Sequence, residues 1–194
     1  MIGFLRGQFA AKTPARVIID VNGVGYEVNI SLHTYSAIVN LEGGQLYTYL
    51  HITENAQSLF GFADIAEKEL FLHLISVSGV GASTARMMLS GMHPDEIVKA
   101  IVQGNTKQLE SIKGIGKKSA ERLIVELRDK LAKVTDSTIL PGFTGGGLNT
   151  DAINALISLG IGKAMAEQSV KKAIAVLPLS ASVEEIIKHA LKNL

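Results

Sequence analysis

The sequence predicts a multidomain α+β chain. A small β-barrel or sandwich is expected at residues 1–63, a helical domain at 64–132, a flexible linker at 133–149 and a three-helix bundle at 150–194. Three observations carry that reading. Eight of the ten aromatic residues lie within the first 62 positions, among β-branched runs. From Asp64 onward apolar residues recur at three- and four-residue intervals, the spacing of a buried helix face. Residues 133–149 read KVTDSTILPGFTGGGLN, with Pro141-Gly142 and Gly145-Gly146-Gly147, a composition that resists regular structure.

In the first segment, Tyr26-Glu27-Val28-Asn29-Ile30 alternates as a half-buried strand does, and Gly23-Val24-Gly25 and Gly43-Gly44 supply turns. About five strands fit, at roughly 2–9, 14–21, 25–31, 45–52 and 57–62. Closing them into a barrel would leave no open edge. In the helical segment Leu70, Leu74, Ile75, Leu109, Ile112, Leu123, Ile124 and Leu127 supply the apolar faces. Beyond the linker, Thr150 and Ser182 are expected helix N-caps, Ser182 with Glu185 as a capping box. Gly160 and Pro178 are expected stops. A bundle of this size is near the lower limit for a self-sufficient core, so its exposed apolar residues are expected to meet a partner.

Composition narrows the function. Nineteen Lys and Arg face 18 Asp and Glu, a net charge of +1, so nucleic-acid binding would have to come from a local patch. One such patch exists: Lys113, Lys117, Lys118 and Arg122, opposed only by Glu121. There is no cysteine, which removes disulfides, thiolate metal sites and cysteine nucleophiles. No apolar run reaches the roughly 18–20 residues a membrane span needs. The opening MIGFLRGQF lacks the order of a secretory signal, so a soluble cytoplasmic protein is expected. His33, His51, His73, His93 and His189 show no ligand spacing, and no metal or cofactor is expected.

The most specific signal is a repeat at an offset of 35 residues. Leu74-Ile75-Ser76-Val77-Ser78-Gly79-Val80-Gly81, with Ala85 and Leu89, matches Leu109-Glu110-Ser111-Ile112-Lys113-Gly114-Ile115-Gly116, with Ala120 and Ile124. In each copy a helix ends at a Gly–aliphatic–Gly turn and a second helix begins at once, the helix-hairpin-helix pattern. The first glycine admits a backbone that a Cβ would hinder, the aliphatic residue plugs the core, and the second glycine is expected to allow close approach of another backbone. The following helix N-terminus presents unpaired N–H groups and positive dipole, which favour a phosphate over any particular base. The candidate DNA-binding residues are therefore Gly79, Gly81, Ser83, Gly114, Gly116, Lys117, Lys118 and Arg122. The first copy has Ala82 and Ser83 where the second has Lys117 and Lys118, so it would rely on backbone amides and the hydroxyls of Ser83 or Thr84.

Neither copy completes a dinucleotide fingerprint, and Gly116-Lys117-Lys118-Ser119 is not an ATP-binding loop, so no ATPase is visible. One enzymatic alternative is similar to the helix-hairpin-helix DNA glycosylases: Lys118 in the place of their lyase nucleophile, with Asp136 eighteen residues on. Against it, Asp136 is expected in the linker and no aromatic base pocket is apparent. A non-catalytic DNA-binding subunit is the better reading.

The whole chain resembles the RuvA family of Holliday junction branch-migration subunits. The residues that carry the resemblance are Met1-Ile2-Gly3 with Leu5-Arg6-Gly7, Val21 to Val28, Leu59-Phe60-Gly61-Phe62, the paired hairpins, and Lys117-Lys118-Ser119-Ala120-Glu121-Arg122-Leu123-Ile124. The resemblance implies an OB-fold first domain and a homotetramer that holds a four-way junction open on one basic face. It further implies a C-terminal bundle that docks the hexameric ATPase RuvB, and it admits a junction resolvase as a further partner. It places an acidic pin at Thr53-Glu54-Asn55-Ala56-Gln57, where the family usually has two adjacent acids. Asn55 here halves the pin charge per subunit, and Ser83 likewise replaces a usual basic residue. Leu156, Leu159, Ile161 and Leu191 match the partner-binding positions, although three short helices also need apolar residues inside. A different class, a structure-specific adaptor for a nuclease, would share the hairpins without needing the bundle or the pin.

Overall fold

Alternation along the chain builds the barrel. Val17 and Ile19 are buried while Ile18 between them is exposed, and Val28 and Ile30 repeat the pattern on the next strand. The computed structural model describes residues 1–136, 148–178 and 181–193, with side chains described to residue 132 in the first stretch. Its strands are β1 (Phe4–Thr13), β2 (Arg16–Val21), β3 (Val24–Ile30), β4 (Gly43–Ile52) and β5 (Gln57–Phe62). They close in the order β1-β2-β3-β5-β4, with β3 and β5 parallel and every other pair antiparallel. This is the five-stranded OB-fold barrel. Leu5, Phe9, Val17, Ile19, Val28, Ile30, Ile38, Leu46 and Leu59 fill it.

Strand β1 runs beyond the expected end at Phe9. Its first half pairs with β4 and its second with β2, and the register shifts between Phe9 and Ala11. Such a bulge breaks the period-two pattern, which is why alternation alone stops short. A helix α1 (Leu32–Ile38), which strand patterning passes over, joins β3 to β4. Ser31 caps it by accepting from the Thr34 amide, and Thr34 and Ile38 form its buried side.

The helical segment comprises α2 (Ile65–Ile75), α3 (Ala82–Gly91), α4 (Pro94–Gln103), α5 (Thr106–Glu110) and α6 (Lys117–Asp136). Phe60 and Phe62 on β5 join its core rather than the barrel's. The fully buried Phe71 of α2 lies with its ring centroid 5.2 Å from Phe60 and 4.9 Å from Phe62. The chain divides into two compact units, Met1–Thr138 and Ile139–Leu194, so barrel and helices share the first.

Two expectations at the ends of the linker are corrected. Helix α6 continues to Asp136, and α7 (Leu148–Ser158) begins before Thr150, which therefore lies inside a helix and is not its N-cap. No glycine or proline intervenes between Ala132 and Asp136, so no breaker ends the helix at residue 132. Pro141-Gly142 and the three glycines lie outside the described residues. In the second unit α7, α8 (Lys163–Val176) and α9 (Val183–Lys192) enclose Ala152, Leu156, Ala166, Val170, Ala173, Ala181, Ile186 and Ala190. Ser182 and Glu185 form the expected capping box. Gly160 turns with φ +90°, and Pro178 follows the α8 C-cap. Among the described residues no helix is long and apolar enough to cross a membrane.

Candidate nucleic-acid interface

The repeat in the sequence is a repeat of hydrogen bonds. In the first copy Val77 N–H donates to Leu74 O, Val80 N–H to Val77 O and Ala85 N–H to Gly81 O, at 3.2, 3.0 and 2.9 Å. In the second, Ile112 donates to Leu109, Ile115 to Ile112 and Ala120 to Gly116, at 3.1, 3.0 and 3.0 Å. Even the serine hydroxyls agree: Ser76 donates to His73 O and Ser111 to Gln108 O, each at 2.7 Å. Val80 and Ile115 are buried under their turns, and Ala85 and Ala120 are fully buried in the helical core.

The two glycines of each turn have different jobs. Gly79 and Gly114 have φ of +91° and +93°, the left-handed region in which a Cβ is strained. Gly81 and Gly116 need no such conformation, and an added Cβ on either would meet nothing within 4 Å. The close backbone approach expected of the second glycine is therefore absent among the described residues. The bare backbone instead leaves open space in front of the helix N-terminus. Gly81 is the N-cap of α3 and offers no side-chain cap. Neither α3 nor α6 has an acidic residue in its first turn. The first-turn amides and dipole of each helix thus face outward uncompensated, an arrangement suited to an anion.

Charge is unequal across the pair. Lys117 and Lys118 are exposed on the first turn of α6, with Lys113 exposed before them and Glu121 exposed after. Ser83 is exposed and Thr84 half-buried at the corresponding places on α3. Arg122 lies across the other hairpin, its Nη1 donating to the Ser78 carbonyl at 2.9 Å. The structure brings Gly79, Gly81, Ser83, Gly114, Gly116, Lys117, Lys118 and Arg122 into one domain, distributed over two turns and two helix ends.

The first hairpin is also tied to the barrel. Arg86 of α3 donates from Nη1 to Ala15 O and Asn29 Oδ1, both at 3.1 Å, and Ser90 Oγ accepts from the Leu32 amide at 3.1 Å. Beneath them the buried Glu67 of α2 accepts from Ser31 Oγ, from Thr34 Oγ1 at 2.5 Å and from the Ala63 amide at 3.3 Å. Burial pushes the Glu67 carboxyl above its ordinary 4.5, against the pull of those hydroxyls, His33 and the Ala63 amide.

Two alternatives and two outlying sites are also located. Lys118 and Asp136 sit near opposite ends of one helix, about 27 Å apart along its axis at 1.5 Å per residue, so they cannot share a reacting atom. The glycosylase-like reading fails on that distance, not on the linker position expected for Asp136. Among the described residues no group of three or more His, Asp or Glu could hold a metal. Glu54 and Asn55 are exposed in a tight β4–β5 turn closed by Thr53 N–H donating to Ala56 O at 2.9 Å. In the bundle, Leu156 has no exposed surface and belongs to the core, which corrects its assignment to a partner. Leu159 and Leu191 are exposed and Ile161 is half-buried against the core.

Comparison with known proteins covers the same ground. Three family models match in succession: the RuvA N-terminal domain at residues 1–61, the SAM-like helix-hairpin-helix tandem at 71–129 and the RuvA C-terminal domain at 147–194. A Holliday junction branch migration complex subunit RuvA from Flavobacterium psychrophilum is 46% identical over 194 residues, covering all of both chains. Those from Cytophaga hutchinsonii and Bacteroides fragilis are 43% and 45% identical, covering at least 99% of each chain. The chain belongs to the RuvA family.

Within this RuvA-family chain, the hairpin positions are readable from the repeat, but some of their partners are not. Met87 lies at the repeat position of Arg122, with its Sδ 3.7 Å from where a Cβ on Gly114 would stand. The offset pairs residues 87 and 122, yet does not show that each covers the opposite turn. Arg86 and Glu67 act over long sequence separations, for which no local pattern exists. Ile157 and Met165, exposed on the bundle, are apolar surface that helical spacing does not separate from core.

Proposed function

We propose that this RuvA-family subunit binds four-way DNA junctions without reading sequence. It would hold them open as a homotetramer and recruit and stimulate the RuvB ATPase for branch migration in the cytoplasm. It would be the non-catalytic member of that complex. The observation that carries the reading is the pair of matched hairpins, each delivering an uncapped helix N-terminus behind an unobstructed glycine. Backbone amides recognise phosphate oxygens without distinguishing bases, so affinity would follow charge and backbone shape. Four copies around an axis would multiply modest contacts into a strong one. Exposed Glu54 would repel phosphates at the centre, where strands separate, with Asn55 contributing no charge. Leu159, Leu191 and the accessible part of Ile161 would serve the ATPase. A junction resolvase would use the DNA left uncovered.

The test compares binding of a four-way junction with that of a linear duplex of equal length, alongside mass in solution. Stimulation of RuvB ATPase is then measured for the full chain and for a chain ending at residue 140, beyond the last described turn of α6. The expected result is junction preference by a tetramer, retained on truncation, with stimulation lost. A truncated chain that still stimulates would remove the bundle from the coupling role. A full chain that binds junctions but never stimulates would favour the nuclease adaptor.

A further inference from the structure

Arg122 belongs to the second hairpin's helix yet makes its hydrogen bond in the first hairpin. Nη1 donates to the Ser78 carbonyl at 2.9 Å, and Nε lies 3.9 Å from Glu126 Oε1 one turn further along α6. Ser78 immediately precedes Gly79, and a Cβ on Gly79 would stand 3.9 Å from the same Nη1. The guanidinium is thus laid over the turn that leads into α3. Its counterpart Met87, 35 positions earlier, lies over Gly114. Each helix covers the other hairpin's turn, but of these two contacts only the Arg122 one is directional and charge-assisted, the kind that fixes geometry.

We propose that Arg122 is a positioning residue, which ties the first hairpin to the second helix so that the two phosphate-facing helix ends are held at a set separation. A rigid pair of sites engages one ligand at a high effective concentration, and loosening the pair weakens binding while every phosphate-facing group stays in place. The purpose of the tie rests on the junction-binding reading, whereas the tie itself belongs to the free protein. It differs from a direct phosphate contact by Arg122, which would act through charge alone.

The experiment measures amide hydrogen exchange in the DNA-free full chain and junction affinity across a salt series, for Arg122→Gln, Arg122→Lys and, as a control, Lys118→Gln. In Arg122→Gln the Val77 and Val80 amides should exchange about tenfold faster, as expected when a hydrogen bond to a charged group is removed. Their counterparts Ile112 and Ile115 should be unchanged, which also shows that the fold is intact. Junction affinity should fall with the salt slope retained. Across the two Arg122 variants affinity should track exchange, whichever of them keeps the positive charge. Unchanged exchange in both variants overturns the proposal, as does affinity that follows charge while exchange does not. If Arg122→Gln speeds exchange but neither it nor Lys118→Gln alters affinity, the tie stands and the junction-binding reading falls.

Discussion

The two hairpins share one hydrogen-bond pattern and differ in nearly everything around it. The first is anchored: Arg86 and Ser90 fasten its second helix to the barrel, and the buried Glu67 fastens its first. It carries no basic side chain on the first turn of α3. The second opens a 20-residue helix and carries Lys117 and Lys118. At the repeat position of Glu67 it has Val102. The shared part, backbone and glycines, makes a place for an anion. On the proposed function the differing part would divide the work, with location set by the first copy and charge by the second.

Removing the charge should have the largest effect. Lys117→Ala with Lys118→Ala should lower junction affinity by more than about tenfold, and flatten the log–log salt dependence by about 0.9 for each phosphate no longer neutralised. Fluorescence anisotropy across a salt series reads both. Unaltered affinity and slope would remove the second hairpin from the DNA face.

The glycines should separate stability from binding in both copies. Gly79→Ala or Gly114→Ala should cost about 1 kcal/mol and lower the melting temperature, because each sits at positive φ. Gly81→Ser or Gly116→Ser should leave melting unchanged or raise it, since a serine can cap the helix and its Cβ meets nothing. Binding should nonetheless weaken several-fold, as the new side chain occupies the phosphate's place. If the serine variants bind normally, the open space is not where the ligand sits.

Making the copies alike should have a smaller, opposite effect. Ser83 aligns with Lys118, and Ser83→Lys should tighten junction binding several-fold and steepen the salt slope by about 0.9. No change in slope would show that this position of the first hairpin faces away from the backbone.

How much of this is legible in the sequence depends on the range over which each feature is encoded. The hairpins are local: Gly–aliphatic–Gly and the following alanine appear in order, and the structure realises each at the expected place. The barrel strands are nearly as local, failing where the β1 bulge breaks alternation and where α1 interrupts it. The end of α6 is hidden because glycine and proline farther on dominate the reading of residues 133–136. Leu156 and Leu159 illustrate another limit, since three-residue spacing suggests one apolar face for both, and only the structure shows that Leu156 is core while Leu159, just past the end of α7, is surface. The Glu67 and Arg86 anchors join residues far apart in the chain, and no spacing announces them.

The anchor of the first hairpin should show the smallest effect, through pH. Burial raises the Glu67 pKa, so the folded chain holds that proton more tightly than the unfolded chain. The stabilisation from this group is complete below the ordinary value of 4.5 and is lost as pH rises through the raised value. Glu67→Gln lacks that dependence. The melting advantage of the parent over Glu67→Gln should therefore be greatest near pH 4 and shrink toward neutrality. An advantage that grows with pH would mean that the pocket favours the carboxylate.

The proposed grip of the paired hairpins on a four-way junction engages phosphates and reads no bases. It is tested by the salt dependence of affinity for two four-way junctions of unrelated sequence, measured for the parent and for the Lys117→Ala, Lys118→Ala double variant. The lines for the two junctions should coincide in each protein, with the variant's lines lower and shallower. Lines that separate by sequence, or a variant parallel to its parent, would contradict it.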